Sequence, residues 1–291
     1  MSAGMQRFLD RDSVSLSPTQ WREIDRTVTD SARQALVGRR FIPVFGPLGA
    51  GVQTVPIQEF EGAYTGAADF SGDADCGTIQ ARAARALPLP IIHKDFLLLW
   101  RNAAAEDVGI PLDVAPAASA AIYTARREDD LIFNGSKELG VDGLLTVPGR
   151  HVLPLSDWRK VGNAFSDIIL TLTQLGNSGF VGPYALVVPP ALYAQMHGVH
   201  ERTGVLEIRN IEELATAGIF RSTVVPENRA LVVAVGAHNM DLAIAQDFSV
   251  AALGPEKMNL LLRVFEIAVL RIKQPQAIAT LEHALVAPPQ K

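Results

Sequence analysis

Cysteine is almost missing from this 291-residue chain, which has one, Cys76. A single thiol forms no internal disulfide, and its neighbours Asp73, Asp75 and Gly77 offer no cation to stabilise a thiolate. A disulfide scaffold and a cysteine nucleophile therefore drop out. Positive charge is in deficit as well: 26 lysines and arginines against 31 aspartates and glutamates leave a formal charge of −5. Packaging nucleic acid needs a basic face that displaces counterions from phosphate, and this balance argues against one. No apolar run approaches the roughly 20 residues that cross a bilayer, and the sequence does not open on a basic-then-apolar export signal. A cytosolic protein without membrane contact is expected, in which Asn134-Gly135-Ser136 has no meaning as a glycosylation site.

Catalytic groupings are equally scarce. Gly46-Pro47-Leu48-Gly49-Ala50-Gly51 lacks the Lys-Ser/Thr ending of a phosphate loop and leads into strand-like Val52 to Pro56, so it reads as a turn. Glu128-Asp129-Asp130 could hold a metal or serve acid–base chemistry. Arg126, four residues before Asp130, and Arg127 beside the cluster favour ordinary helix ion pairs. Ser178 does not sit in a nucleophile elbow. His197 and His200 flank a glycine, have no third ligand nearby, and do not make a zinc helix. No catalytic residue, metal site or cofactor is expected.

What is present is a large apolar fraction, 48%, enough for one large core or two modest ones, and well-marked secondary structure. Ser17-Pro18-Thr19-Gln20 is a capping box with proline in the first turn, so a helix starts near Pro18. Trp21, Ile24, Val28, Ala32 and Ala35 form its apolar stripe, and Gly38 is expected to end it in a left-handed conformation. Ala117 to Asn134 predicts a second helix, with Ala118, Ile122, Ala125 and Ile132 on one side and Gly135 as its stop. A third is predicted from Ser156 to Leu175 on Val161, Phe165, Ile168, Leu172 and Leu175, capped by Gly176. Pro88 to Trp100 reads as a buried strand or a short helix. Strands are expected at Tyr184 to Val188, Leu231 to Val235, Leu242 to Ala245 and, unusually long, Leu260 to Lys273. The acidic, glycine-rich Gly62 to Gly77 cannot fold on its own and is expected to be disordered, functional or supported by another chain, with a surface loop as the alternative. Helices inserted between strands of distant origin make the class α+β.

Three segments carry a family resemblance. Gln20-Trp21 with Ile24-Asp25, then Leu36 to Phe41 and Gly46-Pro47-Leu48-Gly49, resemble the opening of the encapsulins, shell proteins of bacterial and archaeal nanocompartments. Gly182 to Val187, Ala245 to Val250, and Leu260 through Ala277 follow the same family's order, nearest its iron-storing, myxobacterial-type branch. The resemblance implies a phage major-capsid (Hong Kong 97-type) fold. Residues 1–49 would be an N-terminal helix arm, 50–86 an extended loop lying across a neighbouring subunit, 87–135 with 230–291 a peripheral domain, and 136–229 an axial domain. It further implies a non-enzymatic subunit that self-assembles into an icosahedral shell. The cargo, a ferritin-like iron-storage protein or a peroxidase, would be recruited through its C-terminal docking peptide. The docking residues implied are Ile24, Val28, Leu36, Arg39, Asp247, Phe248 and Val250; His197, Gly198, His200 and Glu201, within His197 to Thr203, would line a titratable pore. Some members hold a flavin near the place of Trp100. The residues between Ile92 and Trp100 do not align with that pattern, so no flavin is carried over and Trp100 is expected to pack. The alternative reading is a prophage-derived capsid protein of the same fold that packages DNA.

Overall fold

The computed structural model describes residues 8–61, 66–201 and 204–283. Helix α1 (Pro18–Ala35) starts as predicted: the Ser17 hydroxyl accepts from the Gln20 N–H at 3.2 Å, while Gln20 Oε1 accepts from the Ser17 N–H at 2.9 Å. Trp21, Ile24, Val28 and Ala32 are buried. Its end differs from expectation. Leu36 leaves the helix in extended backbone, and Gly38 opens a short 3-10 turn, Gly38–Arg40. The glycine is needed there for space: a Cβ would lie 2.7 Å from Ile132 Cδ1 and 3.3 Å from Asp129 Oδ1.

The chain continues through β1 (Val44–Phe45) and an antiparallel ribbon of β2 (Thr54–Glu61) and β3 (Gln80–Pro88). Residues 66–79 at the far end of this ribbon are exposed throughout. Residues 62–65, part of the predicted unsupported segment, lie outside the described residues. The ambiguous passage after Pro88 takes both forms, β4 (Ile91–Leu98) followed by α2 (Trp100–Ala105). Helix α3 (Ala115–Asn134) buries Ala117, Ala121, Thr124, Ala125, Glu128 and Ile132, whereas Ile122, placed on the buried side by periodicity, is 46% exposed. Small side chains face α1 and let the two helices approach closely, so the buried stripe of α3 is not its most apolar one.

After β5 (Gly135–Ser136), β6 (Val141–Asp142) and β7 (His151–Pro154) comes α4 (Asn163–Asn177). It begins later than predicted, because Asp167 folds the preceding segment into a turn. Its Oδ2 accepts from the Ser156 N–H, the Ser156 hydroxyl and Trp158 Nε1 at 2.8–2.9 Å. Gly176, the expected cap, lies inside the last turn, and Gly179 (φ 85°) is the left-handed residue beyond it. Then follow β8 (Tyr184–Val188), α5 (Pro190–Gln195), α6 (Glu207–Leu214), β9 (Gly218–Arg221), β10 (Arg229–Ala234), β11 (Met240–Glu256), β12 (Asn259–Ile272) and β13 (Ile278–Glu282).

Two larger sheets result, in strand orders β1-β11-β12-β4 and β7-β13-β10-β8-β9. β12 joins three apolar clusters. Leu262 and Val264 pack with α1 and α3; Phe265, Ile267 and Val269 with the β2–β3 ribbon; Ala268, Leu270 and Ile272 with the core of the second sheet. Alternation along this strand therefore separates two buried faces, which is why so long an apolar run can be a strand.

Candidate functional site

β11 and β12 run in register from Met240↔Ile272 to Ile244↔Ala268, pair at Gln246↔Ile267, and pair again at Ser249↔Phe265. Between those pairs β11 takes five steps (244 to 249) and β12 three (268 to 265). The surplus falls in two places, one residue before Gln246 and one between Gln246 and Ser249, and this second bulge leaves Asp247 and Phe248 without ladder partners beside the end of α1. Local bonds hold the bulge: the Phe248 N–H donates to Asp247 Oδ1 at 2.9 Å, the Ser249 hydroxyl to the Asp247 carbonyl at 2.9 Å, and Gln246 Nε2 to Ser249 Oγ at 2.8 Å.

Opposite the bulge, the last two turns of α1 present Thr29, Ala32, Arg33 and Leu36. Together with Arg39, Arg40, Asp247 and Phe248 they enclose a groove of about 290 Å³. Its walls are apolar along Leu36 and Phe248 and cationic at Arg33 and Arg40. Arg39 forms its floor, with its guanidinium carbon 5.3 Å from the Phe248 ring centroid.

Arg39 is also the hub of a carboxylate cluster. Its Nε donates to Glu128 Oε1 at 2.9 Å, its Nη1 to Asp247 Oδ1 at 2.7 Å, and its Nη2 to both Glu128 and Glu266. Glu128 and Glu266 have side chains 1% and 0% exposed, so this is a buried cluster; Asp247, at 65%, is its solvent-facing arm. Burial alone would weaken the Arg39 charge, but the hydrogen bonds and charge of Glu128, with Glu266 and Asp247, hold its pKa above the ordinary value. Burial, and next the neighbouring Glu128, push the Glu266 carboxyl well above the usual carboxylate range. Its Oε1 has no hydrogen-bond partner among the described residues, a state that costs a neutral carboxyl far less than an ionised one. Asp129 accepts from the N–H groups of Gly38 at 2.8 Å and Val37 at 2.9 Å, tying the end of α1 to α3. Burial raises its pKa to about 7, against those two bonds, which lower it.

Four of the expected docking residues, Leu36, Arg39, Asp247 and Phe248, thus line one groove. Ile24, Val28 and Val250 do not: each is at most 1% exposed and packs beneath α1. They support the helix from below. The Val250 carbonyl accepts from Arg11 Nε at 3.0 Å, and Arg11 pairs with Asp25 at 2.7 Å. The sequence reading missed the groove-facing Thr29, Arg33 and Arg40. Thr29, Arg33 and Leu36 are spaced by four and three along α1, the stripe beside the apolar one, and that spacing is the signal that could have found them.

The acidic cluster forms one of the expected helix ion pairs, while Glu128 and Asp129 take the distant partners already described. Asp130 pairs with Arg127 and accepts from Asn134 Nδ2 at 2.8 Å, while Arg126 is left without that ion pair. Among the described residues no group of histidine, cysteine and carboxylate side chains could hold a metal ion. His197 and Glu201 are exposed and His200 half-buried, on a loop closed where Val199 bridges to Leu206. His197 Nδ1 lies 2.9 Å from the Tyr193 carbonyl. Arg202 and Thr203 of the expected pore segment lie outside the described residues. Trp100, expected to pack, is 42% exposed with Arg101 against its ring, and Cys76 is exposed. No helix among the described residues is long and apolar enough to cross a membrane.

Comparison with known proteins places this architecture. The family described as encapsulating protein for peroxidase matches residues 5–269. The type 1 encapsulin shell protein EncA of Myxococcus xanthus is 45% identical over 281 residues, covering 96% of this chain and 98% of that protein. A diheme-cytochrome–encapsulin shell fusion protein of Kuenenia stuttgartiensis is 41% identical, over 92% of this chain and 74% of its own length. Among solved structures, the virus-like particle from Pyrococcus furiosus has the same fold, with a TM-score of 0.73 at 22% identity over 90% of this chain and 99% of that one. The capsid of Myoviridae phage XM1 shares it at a TM-score of 0.61 and 17% identity, over 84% and 90%.

Proposed function

Because the chain belongs to the encapsulin family of shell proteins, we propose that its copies close into an icosahedral compartment in the cytoplasm and retain cargo by seating a peptide tail of the cargo in the groove between α1 and the β11 bulge. The observation that carries this is the bulge itself. It takes Phe248 out of the strand ladder and sets it opposite Leu36 across an open groove, at the edge of the apolar cluster beneath α1. An extended tail that lays apolar side chains there buries surface on both walls. Each contact is modest, and many tails on one oligomeric cargo make retention strong by avidity.

Assembly is supported by the β2–β3 ribbon, whose far end exposes Phe70 and Ile79 with no cover from its own chain. Laid across a neighbouring copy, that end would bury them in a repeated contact that closes upon itself. The loop carrying His197, Gly198, His200 and Glu201 would line an axial opening, with Gly198 kept small because a Cβ there would lie 2.7 Å from Val161 Cγ2. The relatives fused to a diheme cytochrome and, in Pyrococcus furiosus, to a ferritin-like domain place such partners and the shell in one polypeptide, so a ferritin-like, iron-storing cargo is the class proposed here. The capsid reading shares the fold, but a net charge of −5 weighs against DNA as the content.

The test uses cells whose only copy of the gene carries Phe248→Asp. Purified particles should remain closed and hollow by negative-stain microscopy while the cargo-to-shell ratio, read by mass spectrometry, falls about tenfold or more, since losing a buried phenyl contact costs about 1.5–3 kcal/mol per tail. Particles filled at the wild-type ratio would refute the groove. A protein that stays monomeric at every concentration would refute the shell.

A further inference from the structure

A second, larger cleft lies on the other side of Arg40, between the end of α1 and the edge strand β9 of the second sheet. It encloses about 550 Å³ and is lined by Arg40, Arg126 and Arg221, with Tyr193 and the hydroxyls of Ser222 and Thr223. Three guanidiniums from three separate elements therefore face one space in a chain whose net charge is −5. None of the three has a carboxylate partner among the described residues. Arg40 reaches only the Gln34 carbonyl at 3.4 Å, and Arg221 lies 5.7 Å from the Tyr193 ring centroid. Arg126 shares one face of α3 with Ile122 and Asp129, at four- and three-residue spacing, and its natural partner four residues on, Asp130, is taken by Arg127. The carboxylate that does border the cleft, Asp129, has both oxygens turned to the backbone of Val37 and Gly38.

We infer that this cleft binds a multivalent phosphate group, free or carried by a nucleotide. Guanidinium forks match phosphate oxygens in geometry as well as charge, and unpaired arginines at a shared concavity have no other charge to meet. The volume suits a ligand up to nucleotide size. The site is separate from the docking groove except for Arg40, so the test spares that residue.

Assembled shells would be dialysed against labelled orthophosphate, pyrophosphate and ATP. Saturable uptake of at least one of them, near one equivalent per subunit and weakened by salt, is expected. Arg126→Gln with Arg221→Gln should lower affinity by about tenfold or more, while Arg159→Gln, at an exposed ion pair elsewhere, leaves it unchanged. Tighter binding of ATP than pyrophosphate would identify a nucleotide, and equal or weaker binding the phosphate group alone; both support the site. If the double variant fails to assemble, Thr223→Glu places a repelling charge in the same cleft and should abolish uptake. Absence of saturable binding, equal binding by wild type and variants, or binding to dissociated subunits only, which would make the cleft a contact between copies, each overturns the inference. Cargo loading measured alongside separates this outcome from that of the groove.

Discussion

Replacing Arg39 by methionine removes the one cation that pairs with Glu128 and Glu266 among the described residues. The methionine keeps most of the apolar stem, so the cavity contribution is small and the electrostatic one dominates. Asp247 is 65% exposed and its loss is worth less than about 1 kcal/mol after screening. Glu128 and Glu266 are 1% and 0% exposed, and a buried pair deprived of one partner costs about 3–5 kcal/mol. For a subunit of this size that corresponds to a fall in thermal midpoint of about 5–8 °C. The loss must also depend on pH. Burial already pushes the Glu266 carboxyl well above the usual range, and taking up a proton there removes uncompensated charge, so the deficit shrinks as pH falls from 8 toward 5. Unfolding would be followed by tryptophan fluorescence at fixed subunit concentration, since assembly makes the midpoint concentration-dependent. Adding Glu128→Gln to the variant should recover much of the loss, a coupling of about 2 kcal/mol or more in a double-mutant cycle. A deficit below about 1 kcal/mol at pH 8, or one that is the same at pH 5, would refute the assignment of Arg39 as the neutralising centre.

Two further outcomes follow from the turn after α1. Gly38→Ala should destabilise by about 1–3 kcal/mol through overpacking on Ile132 Cδ1, and Ile132→Val, which deletes that methyl, should relieve it; a neutral Gly38→Ala would show that the turn yields freely. Asp129, whose pKa is raised to about 7, makes folding less favourable as pH climbs from about 4, where the unfolded chain ionises, to about 7, where the folded one does. Asp129→Asn removes that dependence, so its unfolding free energy should gain on the wild type over this window, by up to about 4 kcal/mol, and run parallel above it; parallel curves throughout would rule out the raised pKa.

Local rules carried far along this chain and stopped at identifiable places. The capping box at Ser17 and Gln20, the apolar stripe of α1 and strand β8 were all legible, because each is set by neighbours in sequence. Helix α4 was read seven residues too early, since Val161 continues its period while Asp167, reaching back to Ser156 and Trp158, forbids helix there. On α3 the buried face includes Glu128 and Asp129, whose partners Arg39, Val37 and Gly38 lie about 90 residues away in sequence; no windowed pattern contains that information. The groove was half legible. Leu36, Arg39, Asp247 and Phe248 came from family resemblance, but apolar character alone could not separate Ile24 and Val28, which hold the helix down, from residues that face outward.

That distinction governs how docking can be tested. Arg39 forms the groove floor and neutralises Glu128 and Glu266 at once, so any variant at this position changes shell stability and cargo contact together. Ile24→Asp would bury a charge where the wild-type side chain is 1% exposed, and emptied particles from such a variant would report misfolding as readily as lost docking. Phe248 is the better position, because it is half-buried at the edge of the cluster beneath α1 and not inside it. Its ladder position was already given up to the bulge, and the bulge is held by Asp247, Gln246 and Ser249 without it, so Phe248→Asp leaves every one of those bonds in place. The groove around it carries Arg33, Arg39 and Arg40 against the single carboxylate of Asp247, so an aspartate there meets a net positive surround. A loss of cargo at that position, with the shell intact, therefore isolates the groove wall from the scaffold beneath it.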